Sequence, residues 1–595
     1  MAQYDLIIRG GRLVDGTGAP GRIADVAIAG GRIAAIGEID GKAAREIDAA
    51  GRVVAPGFVD IHTHYDAQLL WDPTASPSPL HGVTTIITGN CGISLAPVKP
   101  EDQDFLARLL ARVEAIPIEA LTQGIAFNWS SFPEYYAEIA RQPYAINVGV
   151  MVGHGAVRRY VMGEDASKRE ATPQEIARMK AVVDEALSAG ALGFSTATAG
   201  THFDGDERPT PPQFAGHDEF VALASALRDH PGTSLEFIPG TAVRGFTEDR
   251  RDVKLLADMS REGRAPINWN TVLLDYPGMP DIQDRQLDAV AEVAAMGGFV
   301  VPQIIPHNFR VRIDLLESDT GFRNTVGYAF LYEMDYPARI EALKDPAIRA
   351  RLIKIIEDLP DGTNKAFFSS SLPNFQVSDA GPAAMKHLVG QRVADIAKER
   401  GLSVLETIFD LAIEAKLEIG FENFLVPVAT PEQRALRKRI LRDPRLMLGA
   451  SDGGAHVRSV INVEYPTACF KELVRDEGIF TLEELVQELS DIPAKLYGLT
   501  DRGRIAEGYW ADIVIFDPET IASSPVEMRF DFPGGAARLY NHGVGIDTVL
   551  VAGEVVAQDG KLTEARAGKL LKSGEDTHRV PWEEMLQRGR ATVAA

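Results

Sequence analysis

The feature that most constrains the fold is a series of eight short apolar runs that alternate with helical stretches between residues 58 and 450. Such runs are typical of strands buried on both faces, and strands that alternate with helices are typical of a parallel sheet. Eight of them favour an α/β fold of the (β/α)8 TIM-like barrel type, with a doubly wound sheet as the alternative. The runs cover residues 58–62, 83–88, 146–152, 192–195, 234–238, 266–269, 299–304 and 446–450.

Helix signals fill most of the gaps between these runs. Thr172 has the side chain that caps a helix start, and Gly190 is typical of the position just beyond a helix end. The gap at about residues 305–445 is too long for one crossover and predicts an insertion with several helices. Such an insertion could form a lid over a site or an interface in a homo-oligomer. Helices are expected over residues 173–188, 346–358 and 403–415.

Both ends of the chain have a different texture, with short β runs separated by glycine pairs. Gly10-Gly11 and Gly30-Gly31 each follow an apolar run, and similar runs return at residues 511–517 and 549–556. Glycine supplies the positive φ that hairpin turns require, and chain termini are often close in space. We therefore predict a small β-sandwich domain built from both termini, residues 1–55 plus 500–560, a barrel domain of residues 56–499, and a C-terminal tail of residues 561–595.

Composition argues against several classes of partner. The chain has 61 Lys and Arg against 84 Asp and Glu, a formal charge of −23, whereas nucleic acid and anionic membrane surfaces require a basic face. Only two cysteines occur in 595 residues, which is typical of a protein without a disulfide framework in a reducing compartment. With no signal-peptide pattern and no apolar run of about 18 residues, the expected location is the cytoplasm.

Two histidines end the first predicted strand. Residues i and i+2 of a strand point to the same side, so His62 and His64 face one point. Neutral imidazole is the commonest protein ligand of zinc, although such a pair is also found as a hydrogen-bonded core feature. The pair alone is therefore a hypothesis about half of a metal site.

Further metal-binding side chains stand at the ends of other predicted strands. Cys91 follows the second strand and Asp452 follows the eighth. A buried cysteine is usually a small hydrophobe, and an Asp in a Ser-Asp-Gly-Gly sequence is usually a turn residue. Catalytic residues of a (β/α)8 barrel nevertheless lie at the carboxyl ends of its strands. Together, these positions predict a metal site formed by His62, His64, Cys91 and Asp452.

The same stretches resemble the amidohydrolase superfamily, and within it the D-aminoacylase (N-acyl-D-amino-acid deacylase) branch. The resemblance implies a barrel with a small β-sandwich, and a hydrolase that acts on carbon–nitrogen bonds other than peptide bonds in N-acyl amino acid-like substrates. It also implies that the two histidines bind metal, that Cys91 is a bridging ligand, and that Asp452 is both ligand and general base. The matching residues are 57–66, 81–92, 190–196, 451–453, 501–508 and 511–514.

The chain departs from this family at the second metal position and at the substrate clamp. Where the family has histidines after strands five and six, this chain has Glu236 and Asn270, and an amide is a poor zinc ligand. We therefore expect only one of the family's metal positions in this chain, with one zinc. Glu236 is either a further ligand or a structural carboxylate. The family's arginine clamp for the substrate carboxylate has a candidate replacement in Arg458, with a surface arginine as the alternative. Arg458, Glu236 and Asn270 are the candidate substrate-binding residues.

The predicted reaction is hydrolysis of a small-molecule amide. A metal lowers the pKa of bound water from about 16 toward 7, and Asp452 would take the proton and return it to the leaving nitrogen. His154 and His307, after the third and seventh strands, are candidate donors to the oxyanion, with a satisfied loop histidine as the alternative for each. His202 and His456 are weaker candidates. Two other functions stay open: a hydrolase of another linear or cyclic amide that lacks a carboxylate, and a non-catalytic ligand-binding barrel.

Overall fold

The strands form two parallel sheets, one large sheet built from both chain ends, and three smaller antiparallel sheets. The computed structural model describes residues 3–242, 246, 250–274, 281–308, 310–316, 321–323, 325, 327–359, 365, 367–424 and 430–580. In chain order the strands are β1 (Tyr4–Leu13), β2 (Arg22–Ala29), β3 (Arg32–Gly37), β4 (Ala43–Asp48), β5 (Val53–Pro56), β6 (Phe58–Asp60), β7 (Val83–Thr88), β8 (Asn147–Val150), β9 (Val152–Gly153), β10 (Gly193–Ala197), β11 (Ser234–Ile238), β12 (Ile267–Trp269), β13 (Val300–Ile304), β14 (Arg310–Ile313), β15 (Gln376–Ala380), β16 (Ile419–Phe424), β17 (Met447–Leu448), β18 (Val460–Ile461), β19 (Ile513–Phe516), β20 (Ala522–Ser523), β21 (Glu527–Arg529), β22 (Arg538–Tyr540), β23 (Gly543–Val544), β24 (Ile546–Val551), β25 (Glu554–Gln558) and β26 (Lys561–Leu562).

The helices begin and end close to where local signals place them. In chain order they are α1 (Gln103–Val113), α2 (Ile118–Gly124), α3 (Phe132–Ile139), α4 (His154–Met162), α5 (Pro173–Ala189), α6 (His217–Ala224), α7 (Arg251–Gly263), α8 (Ile282–Ala295), α9 (Ala329–Tyr332), α10 (Tyr336–Lys344), α11 (Pro346–Glu357), α12 (Val393–Arg400), α13 (Val404–Glu414), α14 (Pro431–Leu441), α15 (Tyr465–Cys469), α16 (Leu482–Leu489) and α17 (Asp491–Leu496). A capping box of Thr172 and Glu175 starts α5, and Gly190 follows its end. The three predicted helices are confirmed to within one residue at each end. None of the described helices has the length and apolar content needed to cross a bilayer.

Short parallel strands form the scaffold of the middle of the chain. Strands β6, β7 and β8 make one sheet and β9-β10-β11-β12-β13-β17 the other, and each pairing is parallel. Only Met151 separates β8, in the first of these sheets, from β9, in the second. A parallel bridge joins Thr63, which follows β6, to Gly453, which follows β17. All eight predicted runs overlap a strand, the third of them as the pair β8 and β9. The carboxyl ends of these strands therefore share one edge.

Strands from both chain ends pair in one nine-stranded sheet. Its order is β26-β25-β24-β19-β5-β1-β2-β3, with β4 paired to β1. The two ends meet where β5 and β19 run antiparallel, with Val54 opposite Ile515. Buried residues of both ends, such as Ile8 and Leu550, share one apolar cluster. Strands from both ends thus share one sheet, while the small β-sandwich domain stays a prediction.

The insertion between β13 and β17 is not only helical. It holds α9 to α14, as expected, but β14, β15 and β16 also form an antiparallel sheet together with β18. This part has its own cluster of buried apolar side chains, among them Ile313, Leu343 and Phe421. These strands were not predicted, because β14, β15 and β16 lack the continuous apolar runs that indicated the buried strands.

The described part of the predicted tail packs against the amino-terminal ends of the parallel strands. Leu570 forms a parallel bridge with Val148 of β8, and the Thr577 hydroxyl donates to the carbonyl of Gly232, just before β11. Residues 561–580 are therefore part of the folded structure, and residues 581–595 lie outside the described residues.

Candidate metal centre

Side chains from the ends of three parallel strands converge on one point. The Sγ atom of Cys91 lies 3.4 Å from Nε2 of His62 and 3.6 Å from Nε2 of His64. Oδ1 of Asp452 lies 3.2 Å from Nε2 of His62 and 3.7 Å from Nε2 of His64. The structure thus brings together the four residues predicted from the sequence as metal ligands.

This donor set fits a zinc ion. A tetrahedral ion with bonds of about 2.0–2.3 Å places its donors about 3.3–3.8 Å apart. The measured separations between the histidines and either Cys91 or Asp452 lie close to that range. The donor atoms of His62, His64 and Cys91 all lie within 4.8 Å of one another. Imidazole nitrogen, thiolate and carboxylate are also the ligands found at zinc sites in proteins.

The backbone holds two of these residues in an unusual conformation. Cys91 and Asp452 have φ angles of 58° and 50°, in the left-handed region that non-glycine residues rarely adopt. Cys91 donates its N–H to Oε2 of Glu236 at 2.8 Å, and the N–H of His64 donates to the carbonyl of Gly453 at 2.7 Å. These bonds hold both turns in place, and backbone conformations of this kind are enriched at functional sites.

Glu236 and Asn270 contact the ligand residues. Oε1 of Glu236 accepts a hydrogen bond of 2.7 Å from Nδ2 of Asn270, and that nitrogen is 2.7 Å from Nδ1 of His62. Burial raises the pKa of Glu236 to about 7. Both side chains are buried. The structure therefore brings these two predicted substrate-binding residues to the site, but packs them against Cys91 and His62.

Burial and neighbouring charges act differently on each member of the cluster. Burial disfavours the Asp452 carboxylate, but hydrogen bonds with His62 and His64 outweigh it and hold the pKa of Asp452 below its usual range. Burial lowers the pKa of His64 to about 4, whereas at His62 the contact with Asp452 outweighs burial and raises the pKa. Burial and nearby carboxylates raise the pKa of the Cys91 thiol. A bound cation reverses that preference, because coordination requires the thiolate.

His154 already has a partner at each ring nitrogen. Nδ1 is 2.9 Å from the Thr196 hydroxyl, and Nε2 is 2.8 Å from Oε1 of Glu219. The ring is fully buried and packs against Phe194 and Phe220. His154 is therefore a satisfied histidine at the start of α4, and these contacts do not support the predicted role of oxyanion donor.

His307 lies beside a different group of charges. Burial lowers the pKa of His307 to about 3, and the neighbouring Arg437 cation lowers it further. Arg437 in turn donates to the carbonyl of Pro306 and to Glu472. These neighbours include none of the four ligand candidates, so the catalytic role of His307 stays a prediction that the described contacts do not support.

Arg458 is held by a protein carboxylate. Its guanidinium donates to Oε1 of Glu119 at 2.5 Å and to the carbonyl of Ala537 at 3.4 Å. Only 8% of the residue is exposed, which corrects the alternative of a surface arginine. A substrate carboxylate would have to compete with Glu119 for this side chain.

Three side chains near the cluster were missed or ranked as weaker candidates. Oε2 of Glu114, which follows α1, lies 3.4 Å from Nδ1 of His64. Burial, together with the charges of His64 and His456, lowers the pKa of His202 to about 4. In both His202 and His456 the Nδ1 atom is buried without a hydrogen-bond partner among the described residues. Each histidine follows the carboxyl end of a parallel strand, which is a usable signal. Glu114 follows a helix and has no such signal.

Comparison with known proteins defines the class of this site. Residues 45–557 match the model of the amidohydrolase family. D-aminoacylase of Alcaligenes xylosoxydans xylosoxydans is 29% identical, over 96% of this chain and 97% of its own length. N-acyl-D-aspartate deacylase of the same organism is 30% identical, over 98% of each chain.

Two solved structures extend the similarity to the fold. A structure of D-aminoacylase, which concerns the functional role of its binuclear metal centre, matches 96% of this chain and 100% of its own, with 28% identity and a TM-score of 0.63. A structure of N-acyl-D-glutamate deacylase of Bordetella bronchiseptica, complexed with zinc and a phosphonate inhibitor, also matches 96% of this chain and 100% of its own. The identity is 25% and the TM-score 0.62.

These matches and the converging donors define a metal-dependent hydrolase with a TIM-barrel-containing fold. The chain belongs to the amidohydrolase family. Within that family it belongs to the D-aminoacylase branch, and it is a hydrolase that acts on carbon–nitrogen bonds other than peptide bonds. The alternative of a non-catalytic binding barrel is not supported.

Proposed function

We propose that the protein is a zinc-dependent deacylase of N-acyl-D-amino acids. The observation that carries this proposal is the convergence of His62, His64, Cys91 and Asp452 at separations that suit one zinc ion. The names of two relatives, D-aminoacylase and N-acyl-D-aspartate deacylase, support the substrate class and its chirality.

One zinc per chain is part of the proposal. The two oxygens of Glu236 already accept hydrogen bonds, from Asn270 and from the N–H of Cys91. A second ion at Glu236 would have to share or displace these bonds, and the Asn270 amide is a poor zinc ligand. Glu236 and Asn270 thus support ligand residues in this proposal, and Cys91 serves a single ion.

Asp452 is the residue placed to move a proton during hydrolysis. When bound, zinc lowers the pKa of water toward 7 and polarises an amide carbonyl. The Asp452 side chain is 35% exposed, whereas the side chains of His62 and His64 beside it are 2% exposed. Its pKa lies below the usual range, so it is a carboxylate at neutral pH that can accept a proton and deliver it to the leaving nitrogen.

His202 and His456 replace His154 as the proposed donors to the oxyanion. They come from the loops after β10 and β17, at the edge where the ligand candidates lie. With its pKa lowered to about 4 by burial, His202 is neutral at pH 7 and donates one N–H without adding a charge. The backbone holds both residues, because the His456 N–H donates to the Glu114 carbonyl and the His202 carbonyl accepts from Gln213.

A second candidate function is hydrolysis of another linear or cyclic amide that lacks a carboxylate. The pair of Arg458 and Glu119 favours it, because an arginine that already binds a carboxylate attracts a substrate carboxylate less.

We expect Arg458→Ala to change the KM for an N-acyl-D-amino acid by less than about threefold, since Glu119 already occupies the guanidinium. If Arg458 bound the substrate carboxylate, its replacement would remove a charged hydrogen bond of about 1.5–3 kcal/mol. This loss would raise KM by about 10- to 150-fold. Steady-state kinetics measure the difference, with Glu119→Gln as the matched variant that removes the carboxylate beside the arginine. A large rise in KM for Arg458→Ala, confined to substrates with a carboxylate, would restore the clamp.

Hydrolysis of a matched substrate panel tests the proposed function. The panel pairs the D and L enantiomers of several N-acetyl amino acids with the corresponding carboxamides, and the released amine is measured with zinc-loaded protein. Preference for D enantiomers with a free carboxylate is the expected result. Activity on the carboxamides alone would favour the second candidate, and no activity on either group would contradict both.

The organisation of the chain is part of the same proposal. The pairing of β5 with β19 supports a small β domain of residues 1–55 plus 500–560, and the parallel strands support a (β/α)8 barrel of residues 56–499 with its insertion at about 305–445. The tail is residues 561–595. A cytoplasmic location, a small-molecule substrate as the partner, and the absence of a nucleic-acid or membrane partner stay predictions from composition.

A further inference from the structure

We propose that Glu114 is a positioning residue that orients His64, fixes which of its nitrogens carries the proton, and thereby strengthens zinc binding. The inference rests on the proposed metal site and concerns a residue outside the four ligand candidates. Glu114 comes from the end of α1, between the second and third parallel strands, and not from a strand end.

Glu114 faces the ring nitrogen of His64 that does not face the cluster. Its Oε2 lies 3.4 Å from Nδ1, whereas Nε2 is the nitrogen near Cys91 and Asp452. Glu114 is only 3% exposed, and its Oε1 is buried without a hydrogen-bond partner among the described residues. A buried carboxylate with so few partners is costly in free energy, so its position requires an explanation.

The chemistry of imidazole supplies that explanation. A histidine that gives the Nε2 lone pair to a cation carries its proton on Nδ1, and this N–H requires an acceptor. Oε2 of Glu114 is within reach of Nδ1 of His64. At His62 the corresponding nitrogen faces the amide of Asn270. Glu114 therefore offers Nδ1 of His64 an oxygen acceptor, whereas the Asn270 atom beside Nδ1 of His62 is an amide nitrogen, which is itself a donor.

The main chain of Glu114 is tied to the loop that carries Asp452. At the end of α1, the Glu114 N–H donates to the carbonyl of Leu110 at 3.0 Å. The Glu114 carbonyl accepts a hydrogen bond of 2.6 Å from the N–H of His456. Glu114 therefore links a ligand candidate of the first parallel strand to the loop after the last one. Its main chain is held in place by bonds that do not depend on the metal.

The zinc affinity of the full-length chain tests this inference. We expect Glu114→Ala to weaken zinc binding about 10- to 100-fold, as the loss of such outer partners does. Glu114→Gln keeps an oxygen acceptor for Nδ1, so it should weaken binding less than Glu114→Ala. Competition with a chromophoric chelator measures the affinities. Glu101→Ala removes an exposed carboxylate just before α1 and should stay within twofold of the wild type.

Thermal unfolding of each metal-free variant separates an effect on zinc binding from loss of the fold. A Glu114→Ala affinity within twofold of the wild type, in a folded protein, would overturn the inference and leave the proposed function standing. If Glu114→Ala does not fold, Glu114→Met takes its place, because methionine has a similar length and no oxygen acceptor. A zinc affinity of folded Glu114→Met within twofold of the wild type would then overturn the inference. A wild-type chain that binds no zinc would overturn both proposals.

Discussion

We expect replacement of Asp452 by Asn to lower kcat/KM by about 10²- to 10⁴-fold, the range typical of a lost general base, while the protein stays folded. The amide cannot accept the proton that the carboxylate takes from water, and it is a poor zinc ligand. The fold should tolerate the change because Asn, like Asp, adopts the left-handed conformation that Asp452 has with its φ of 50°. Steady-state kinetics and circular dichroism of the zinc-loaded variant check both parts.

The chain offers a matched control for this substitution. Asp501 also has a positive φ, of 54°, and it pairs with Arg32 in the sheet built from both chain ends. Asp501→Asn makes the same chemical change in a similar backbone conformation, and we expect activity within twofold of the wild type. If Asp452→Asn kept more than a tenth of the wild-type kcat/KM, Asp452 would not be the general base.

Removal of metal should abolish hydrolysis, and one equivalent of zinc per chain should restore it. The expected loss is at least about 10³-fold, because the ion is required both to lower the pKa of water and to polarise the carbonyl. Chelation followed by titration with zinc, with metal content measured in parallel, gives the stoichiometry. Recovery that required two equivalents would show that Glu236 or another residue completes a second site.

The two cysteines provide the control for this experiment. Cys91→Ala removes a donor that lies 3.4 Å from His62 Nε2, so zinc should no longer restore activity at one equivalent. Cys469 is also buried, in α15, and is not among the clustered donors. Cys469→Ala should keep the wild-type titration curve. Equal behaviour of the two variants would mean that Cys91 does not bind the ion.

Much of the site was predictable because the rules that place it act over a few residues. The period of two along a strand brings His62 and His64 to one side, and a parallel sheet brings Cys91 and Asp452 to the same edge. The N-cap signal at Thr172 is equally local, and it placed the start of α5 correctly. The insertion was predicted less well, because β14 to β16 mix polar and apolar residues and have no continuous apolar run.

Partners that come from distant parts of the chain were decided by tertiary structure alone. Arg458 and Glu119 are 339 positions apart, and His154 and Glu219 are 65 apart, so no local pattern shows that either pair exists. These contacts give Arg458 a carboxylate partner and His154 a partner at each ring nitrogen, and they do not support the role predicted for either residue.

The sequence by itself determined eight apolar runs, each of which overlaps a described parallel strand, and the four donors at or just beyond the ends of three of them, because strand period and strand-end position are properties of short segments. Only the tertiary structure decided which other polar groups support those donors. Glu114 reaches His64 from a helix end, and Glu236 and Asn270 reach Cys91 and His62 from two other strands. Such contacts depend on how the elements pack against one another, and that packing sets the distances on which coordination and proton transfer depend.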